Sequence, residues 1–203
     1  MKDLSKREEI AGKEISRLSQ EGALKRLPQQ EARQIASFFE ARCLNRLQTA
    51  RLVKEASETK AHGVASNYND YAEAVAAAYY AMYYIVHAYI AEKYNTKLQE
   101  GVRGAHATTH HLVVYYLVKT KKLATHLYEE YLKTLETTSS IQNLTPEAFQ
   151  PQAHKYAENY DHTREAREKF TYNTSPAIES RHAERAIATA DEFITTVRQI
   201  MRH

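Results

Sequence analysis

The sequence predicts an all-α protein, an up-and-down bundle of four to five core helices with an N-terminal helical extension. Only 5 Gly and 4 Pro interrupt its 203 residues, and helix-favouring Ala, Glu, Lys, Leu and Arg are plentiful. No segment combines apolar–polar alternation with many β-branched residues, so we expect no sheet. Residues 68–94 are apolar around most of a helix, and such a helix must be surrounded by others.

The N-terminal segment, residues 3–25, predicts a charged helix with a thin apolar stripe. Gly22 and Pro28 mark its end. We therefore assign residues 1–28 to an N-terminal helical extension and residues 29–203 to the bundle domain. The stripe consists of four residues: Ile10, Ile15, Leu18 and Leu24.

A long amphipathic helix is predicted over residues 29–61. Its apolar positions recur at three- and four-residue steps: Ile35, Phe38, Phe39, Cys43, Leu47, Ala50 and Val53. Its opposite face carries four cations: Arg42, Arg46, Arg51 and Lys54. The apolar central helix then runs over 70–94, with Asn67 or Asn69 as the predicted N-cap.

The remaining elements follow in order along the chain. They are a connector over 95–105, helices over 108–121 and 123–137, a loop over 138–151 and a helix over 152–170. The last helix is predicted over 180–202. Its inward residues are Ala183, Ala186, Ile187, Ala190, Phe193, Ile194 and Val197.

Composition predicts a cytoplasmic protein. The single Cys43 excludes an internal disulfide and is expected to be a buried thiol. The N-terminus has no apolar core of a signal peptide, and no run of about 18 apolar residues predicts a membrane span. The net charge of +3 is too weak to indicate nucleic-acid binding by itself.

Charge is more concentrated in the window 97–122. It holds five cations, Lys97, Arg103, Lys119, Lys121 and Lys122, against the single acid Glu100. His106, His110 and His111 lie in the same window. If these residues converge in space they form a basic patch; the alternative is a solvated loop and helix end.

Four segments resemble, in order, the conserved helices of HEPN domains (higher eukaryotes and prokaryotes nucleotide-binding). Residues 69–84 resemble the second core helix, although the last two tyrosines stand where Phe and His are usual. Residues 45–53 resemble the first core helix, 110–113 the start of the third and 183–194 the last. The resemblance covers about residues 35–202 and implies a helical bundle that pairs as a homodimer.

The resemblance also implies a candidate site. HEPN ribonucleases carry an Arg, then four to six residues, then a His, and need no metal. Arg167 matches this Arg, but Tyr172 replaces the His, and a phenol with a pKa near 10 is a poor base. Arg167 and Tyr172 are thus catalytic candidates, with Arg164 and Arg167 to bind substrate; alternatively, both Arg167 and Tyr172 are structural. Whether the protein is an enzyme, a metal-independent endoribonuclease if active, stays open.

A second Arg-x6-His match is Arg103 with His110, an alternative catalytic pair before the third core helix. A free helix N-terminus there could hold phosphate, with His106 and His111 as further substrate-binding candidates. His106 and His110 also have the i, i+4 spacing of a zinc pair. No Cys or carboxylate accompanies them, so we predict neither a metal nor a cofactor.

Two classes of function follow from the resemblance. The first is RNA or nucleotide binding, as a toxin-like or degenerate ribonuclease in a prokaryotic defence or toxin–antitoxin setting. The alternative is a non-catalytic dimeric interaction module that partners a nucleotidyltransferase. The apolar faces of helices 29–61 and 180–202 look wider than a small bundle needs, which also favours a homodimer. We expect His87 and the tyrosines of the central helix to be mostly core.

Overall fold

The computed structural model describes residues 2–102, 104–141 and 178–203. Helices dominate these ranges, which confirms the predicted all-α class. The elements are α1 (Lys2–Gln20), β1 (Leu24–Arg26), α2 (Gln29–Thr59), α3 (Tyr71–Tyr94), β2 (Thr96–Leu98), α4 (Ala105–Val113), α5 (Thr125–Ile141) and α6 (Ser180–Arg202). A π-helical segment, Val114–Val118, continues α4. The predicted helix over 152–170 lies outside the described residues.

Helix α3 is the centre of the fold, as predicted. It packs against α2, α4, α5 and α6, and its side chains are buried almost continuously from Ala74 to Ala91. The prediction of Asn67 or Asn69 as N-cap is wrong: Asp70 caps the helix and accepts a hydrogen bond of 3.1 Å from the Glu73 N–H. The helix ends where Asn95 adopts a left-handed conformation with φ of 48°.

The apolar character of α3 also meets the criteria for a membrane span. Among the described helices, it alone is long and apolar enough to cross a bilayer, and 83% of its most apolar window is buried within the protein. The core helix of a soluble bundle meets the same criteria. Length and composition therefore do not distinguish the two settings for this helix.

The apolar stripe of α1 packs into the same core as the other helices. Ala11, Ile15 and Leu18 are buried, and the helix lies against α4 and the π-helical segment. A Cβ atom added at Gly12 would lie 3.8 Å from the Tyr115 ring, so the backbone of α1 passes close to this segment. The thin stripe of the sequence is therefore enough to dock the helix.

The expectation of no sheet is wrong, because β1 and β2 form an antiparallel ladder. Its register pairs Leu24 with Leu98, Lys25 with Lys97 and Arg26 with Thr96. Each strand has three residues, too few for alternation to be detected in the sequence. The left-handed Asn95 reverses the chain after α3, and the Leu27 N–H donates to the Asn95 carbonyl at 2.7 Å.

Helices α2 and α6 complete the bundle on either side of α3. All seven residues predicted to face inward on α6 are buried. Cys43 is fully buried on α2, as predicted, and burial raises the pKa of its thiol to about 12. Ion pairs join the two helices at their surface, with Arg51 bound to Asp191 and Arg198 Nε 2.7 Å from Glu40 Oε1.

Candidate functional site

The structure describes only part of the predicted site. Arg103, Arg164, Arg167 and Tyr172 lie outside the described residues, so the roles expected of them stay predictions. His106, His110 and His111 are described, all on α4. Their surroundings show which chemistry each histidine can perform.

The three histidines of α4 turn toward three different helices. His106 faces α3, where its Nδ1 lies 2.9 Å from the Tyr79 hydroxyl. His110 faces α5, with its ring stacked at 6.4 Å between centroids on Tyr131. His111 is buried on the α1 side; burial lowers its pKa, and Glu14 and Arg17 of α1 act on it in opposite directions. The structure therefore does not gather these histidines into one substrate-binding group.

His110 is a neutral imidazole in this environment. Burial, with smaller contributions from His111 and Arg7, lowers the pKa of His110 to about 3. Its Nδ1 has no hydrogen-bond partner among the described residues. An imidazole with this pKa is not protonated to imidazolium at neutral pH, so it cannot serve as a general acid, and it is a weak base. The surroundings of His110 thus do not favour acid–base catalysis.

His87 belongs to a buried hydrogen-bond network between α3 and α4, as predicted for a core histidine. Its Nε2 lies 2.9 Å from Thr109 Oγ1, and the Thr109 hydroxyl donates to the Ala105 carbonyl at 2.8 Å. Since the hydroxyl proton is used there, we infer that His87 donates through Nε2–H. The Tyr83 side chain also hydrogen-bonds to Thr109.

Burial keeps this network uncharged. Burial, with a smaller contribution from the neighbouring His106, lowers the pKa of His87 to about 4. It also lowers the pKa of His106 and raises the pKa of Tyr83. The interior contacts between α3 and α4 are therefore neutral donor–acceptor pairs at physiological pH, which suits a rigid scaffold.

A surface of α2 and α3 combines arginines with aromatic rings, of which Phe38 and Arg42 are exposed and the others are partly buried. We call it the aromatic–arginine face, and it consists of Phe38, Arg42, Arg46, Tyr80 and Tyr84. The guanidinium carbon of Arg42 lies 5.3 Å from the Phe38 ring centroid and 6.0 Å from that of Tyr84. That of Arg46 lies 5.7 Å from the Tyr80 centroid. Phe38 is 54% exposed.

The aromatic–arginine face rests on the buried network. Phe39 stacks on Tyr84 with ring centroids 6.0 Å apart, and it also contacts the His87 ring at 5.4 Å. Arg46 is held from the other side by Glu73, with 3.6 Å between their nearest charged atoms. The rings and guanidinium groups are therefore positioned by packing and by charge.

Sequence reasoning missed this face, because it placed Phe38 on the inward apolar side of α2 and Arg42 and Arg46 on the opposite side; Phe38 is in fact exposed beside Arg42. A signal was nevertheless present. Phe38, Arg42 and Arg46 follow one another at four-residue steps, as do Tyr80 and Tyr84. Side chains with that spacing are neighbours on a helix surface. The packing of α2 on α3, which brings the two rows together, was not readable from either row.

The basic window of the sequence is divided in the structure. Lys122 donates to the Tyr89 hydroxyl at 2.9 Å, whereas His106 contacts Tyr79. These two tyrosines are ten residues apart on α3, which corresponds to about 15 Å along the helix axis. The histidines and the lysines therefore serve different places in the fold.

Within 2–102, 104–141 and 178–203, no group of three or more His, Cys, Asp or Glu side chains is arranged to hold a metal ion. Comparison with family models, with curated proteins and with solved structures finds no match for this chain. The resemblance to HEPN domains therefore rests on the four sequence segments.

Proposed function

We propose that this chain is a HEPN-like protein, an up-and-down bundle of four to five core helices, that binds RNA or a nucleotide. The observation that supports binding is the aromatic–arginine face. Exposed aromatic rings and arginine planes are the groups on which unstacked bases lie. The same guanidinium groups offer paired donors to phosphate oxygens.

The geometry suits single-stranded RNA better than a duplex. Phe38 is exposed and Tyr80 and Tyr84 are partly exposed on two adjacent helices, and each ring has a guanidinium group beside it that a base could displace or join in the stack. A base can stack on such a ring only when it is free of its neighbours in a helix. Arg42 and Arg46 lie among the rings, where they can meet the phosphates that connect successive bases.

The described residues support RNA binding without cleavage better than they support a ribonuclease. The buried histidines of α3 and α4 are neutral, and His110 is a weak base. Cleavage would depend on Arg167 and Tyr172, which the described residues do not include. In a toxin-like or defence setting, such a chain would act as a degenerate ribonuclease that holds RNA.

The test is a titration of labelled single-stranded RNA with wild type and with Phe38→Ala, Arg42→Gln and Arg46→Gln. Each variant should weaken binding by about tenfold, because one stacked base contributes about 1–3 kcal/mol. Arg51→Gln is the matched control: it removes the same charge from α2, but from outside the aromatic–arginine face, where Arg51 pairs with Asp191 of α6. It should change affinity less than twofold.

Two results would contradict the proposal. One is absence of binding by wild type at about 100 mM salt, where phosphate contacts still contribute to affinity. The other is equal loss in Arg51→Gln and Arg42→Gln, which would indicate attraction by overall charge. A gel for cleavage with Arg167→Ala and Tyr172→Phe, run beside the titration, tests catalysis separately.

A dimeric interaction module is the second candidate, and a specific observation favours it. The large exposed hydrophobic side chains of the described residues, Phe38, Leu44 and Leu52, all lie on α2. This helix of 31 residues is about 46 Å long. A second copy that packs its own α2 across this surface would bury all three side chains in a two-fold interface.

Sedimentation velocity on wild type, Leu44→Asp and Leu52→Asp tests the module. Wild type should sediment as a dimer at high micromolar concentration, and both variants as monomers. Lys54→Gln is a control on the same helix that leaves the apolar surface intact. A monomeric wild type would reject the homodimer, and dimeric variants would place the interface elsewhere. A nucleotidyltransferase partner, implied by the resemblance, would be tested by co-purification with the same variants.

A further inference from the structure

Six cations lie at one end of the bundle, around the β-ladder and the C-terminal end of α3. We call this region the basic end, and it consists of Lys25, Arg26, Lys93, Lys97, Lys119 and Lys122. None of them forms a salt bridge within the described residues. Elsewhere cations are often paired, as Arg185 and Lys133 are with Glu130 and Arg198 is with Glu40.

The β-ladder adds like charges that face one another. Lys25 of β1 is directly opposite Lys97 of β2 in the register. Like charges at opposed positions of an antiparallel pair are destabilising. Arg26 follows Lys25 in β1, and because successive side chains of a strand point to opposite faces, it lies on the other face of the ladder from the lysine pair. An anion bound beside the ladder would offset this repulsion.

The basic end contains a cleft. It has a volume of about 340 Å³ and is lined by Arg26, Leu27, Lys93, Tyr94 and Asn95. Arg26 and Lys93 are exposed, whereas Tyr94 and Asn95 are partly buried. The lining therefore offers two cations, an amide, a phenol and one apolar side chain, a set that can hold an anion and a flat group beside it.

Packing among tyrosines holds the cleft in place. The Tyr94 ring lies 4.3 Å from the Tyr116 ring, and its hydroxyl lies 3.3 Å from that of Tyr89. Tyr116 belongs to the π-helical segment, and such segments are frequent at functional sites. Lys122 donates to Tyr89 and so stays near this cluster. The lining residue Tyr94 is therefore fixed from two sides.

One force opposes an anion here. The cleft adjoins the C-terminal end of α3, where the helix dipole acts as about half a negative charge. The same dipole interacts favourably with the charge of Lys93, which lies in the last turn of the helix, and so gives that lysine a role in stabilising α3. The dipole gives no such reason for Arg26, Lys25 and Lys97, which lie on the strands and not on the helix. Two whole positive charges in the lining exceed the opposing half charge.

The geometry points to an anion site at the basic end that takes a phosphate-bearing small molecule through its di- or triphosphate group. Arg26 supplies paired donors to one phosphate, and Lys93 acts as a point charge on the next. Tyr94 offers a ring edge and a hydroxyl to whatever the phosphates carry. The site is separate from the aromatic–arginine face and does not require that face to bind RNA.

The experiment is calorimetric titration of wild type, Arg26→Gln and Lys93→Gln with inorganic pyrophosphate, adenosine diphosphate and adenosine. Pyrophosphate and the diphosphate should both bind wild type, and adenosine should not. Each variant should weaken both phosphate ligands by about tenfold or more, because a hydrogen bond to a charged group contributes about 1.5–3 kcal/mol. Equal affinity for the two ligands indicates free phosphate recognition; tighter diphosphate binding indicates a nucleotide.

Lys13→Gln is the matched control, because Lys13 is exposed and paired with Glu9 on α1. It should leave both affinities within twofold of wild type. Equal loss in Lys13→Gln, absence of pyrophosphate binding, or unchanged binding in Arg26→Gln and Lys93→Gln would each overturn the site. Loss of RNA binding in these two variants without any pyrophosphate binding would assign the basic end to RNA instead. Circular dichroism confirms that each variant is folded.

Discussion

The tyrosines of α3 lie in two different surroundings. In the middle of the helix, Tyr79 contacts the partly buried His106 and Tyr83 contacts the buried His87, and the raised pKa values of both tyrosines keep their hydroxyls uncharged. Toward its C-terminal end, Tyr89 and Tyr94 adjoin lysines that are exposed to solvent. The same residue type thus lies beside neutral imidazoles in the middle of the helix and beside exposed lysines at its C-terminal end, where Tyr89 itself is buried and Tyr94 is partly exposed.

The difference shows that the neighbours of a tyrosine decide its role. A buried hydroxyl next to a histidine is satisfied inside the protein and fixes the packing of helices. A hydroxyl next to a lysine at the surface leaves donors directed toward solvent, where a ligand can replace water.

The largest change in stability is expected from substitution of Tyr131, a residue of α5 whose ring packs against Tyr79 of α3. Its ring is fully buried and stacks on Phe193 at 5.4 Å. Tyr131→Ala should lower the free energy of unfolding by about 3–5 kcal/mol, because it leaves a cavity the size of a ring. Urea denaturation measures the change.

Tyr131→Phe separates the ring from its hydroxyl. The hydroxyl has no hydrogen-bond partner within the described residues, and a buried unsatisfied polar group costs about 1–3 kcal/mol. The Phe variant should therefore be as stable as wild type or more stable. A loss comparable with that of Tyr131→Ala would show that the hydroxyl is bonded in the folded protein.

The second-largest effect is a loss of stability in acid, caused by His87 and His110. Burial lowers the folded-state pKa of His87 to about 4 and of His110 to about 3, whereas an unfolded histidine titrates near 6.5. The unfolded chain therefore takes up protons first as pH falls. Stability should be complete above about pH 6.5 and should fall between there and pH 4, by up to about 1.4 kcal/mol per pH unit per histidine.

Unfolding curves at about pH 7.5 and about pH 5 test this, since most carboxylates stay ionised over that interval. His87→Gln keeps a donor for Thr109 but cannot be protonated, so it should reduce the loss of stability on acidification. His126→Gln is the control, because His126 is exposed and paired with Glu192. An unchanged pH dependence in His87→Gln would contradict a neutral buried His87.

Much of the fold was predictable, because helix periodicity is a local property. The span of α6 and all its inward residues were readable from spacing alone, as was the central position of α3. The β-ladder was not, because three-residue strands carry no period and their pairing is set by the reversal at Asn95. The cap at Asp70 was missed among several neighbouring cap residues.

The candidate sites were less predictable, because they depend on contacts between helices. The basic window looked continuous in sequence, yet the turn of α4 sends His106 and His111 to opposite neighbours. Arg26 lies about seventy positions from Lys93 along the chain, so no sequence window contains the cleft. Packing of α2 on α3 likewise assembles the aromatic–arginine face from two separate rows.

The smallest change in stability is expected when the same kind of substitution, Lys to Gln, is made in two charge environments. Lys97→Gln removes a cation that faces Lys25 across the ladder, so it should stabilise the fold by about 0.2–1 kcal/mol. Lys133→Gln removes a cation whose Nζ lies 2.8 Å from Glu130, so it should destabilise the fold by at most about 0.5 kcal/mol. Urea denaturation of both variants without added ligand measures the sign of each change in the free energy of unfolding.

Both changes should shrink at about 1 M salt, because screening at that ionic strength acts within about 3 Å. If Lys97→Gln destabilises the protein as Lys133→Gln does, the basic end carries no repulsion, and the ladder would give no reason for an anion to bind there.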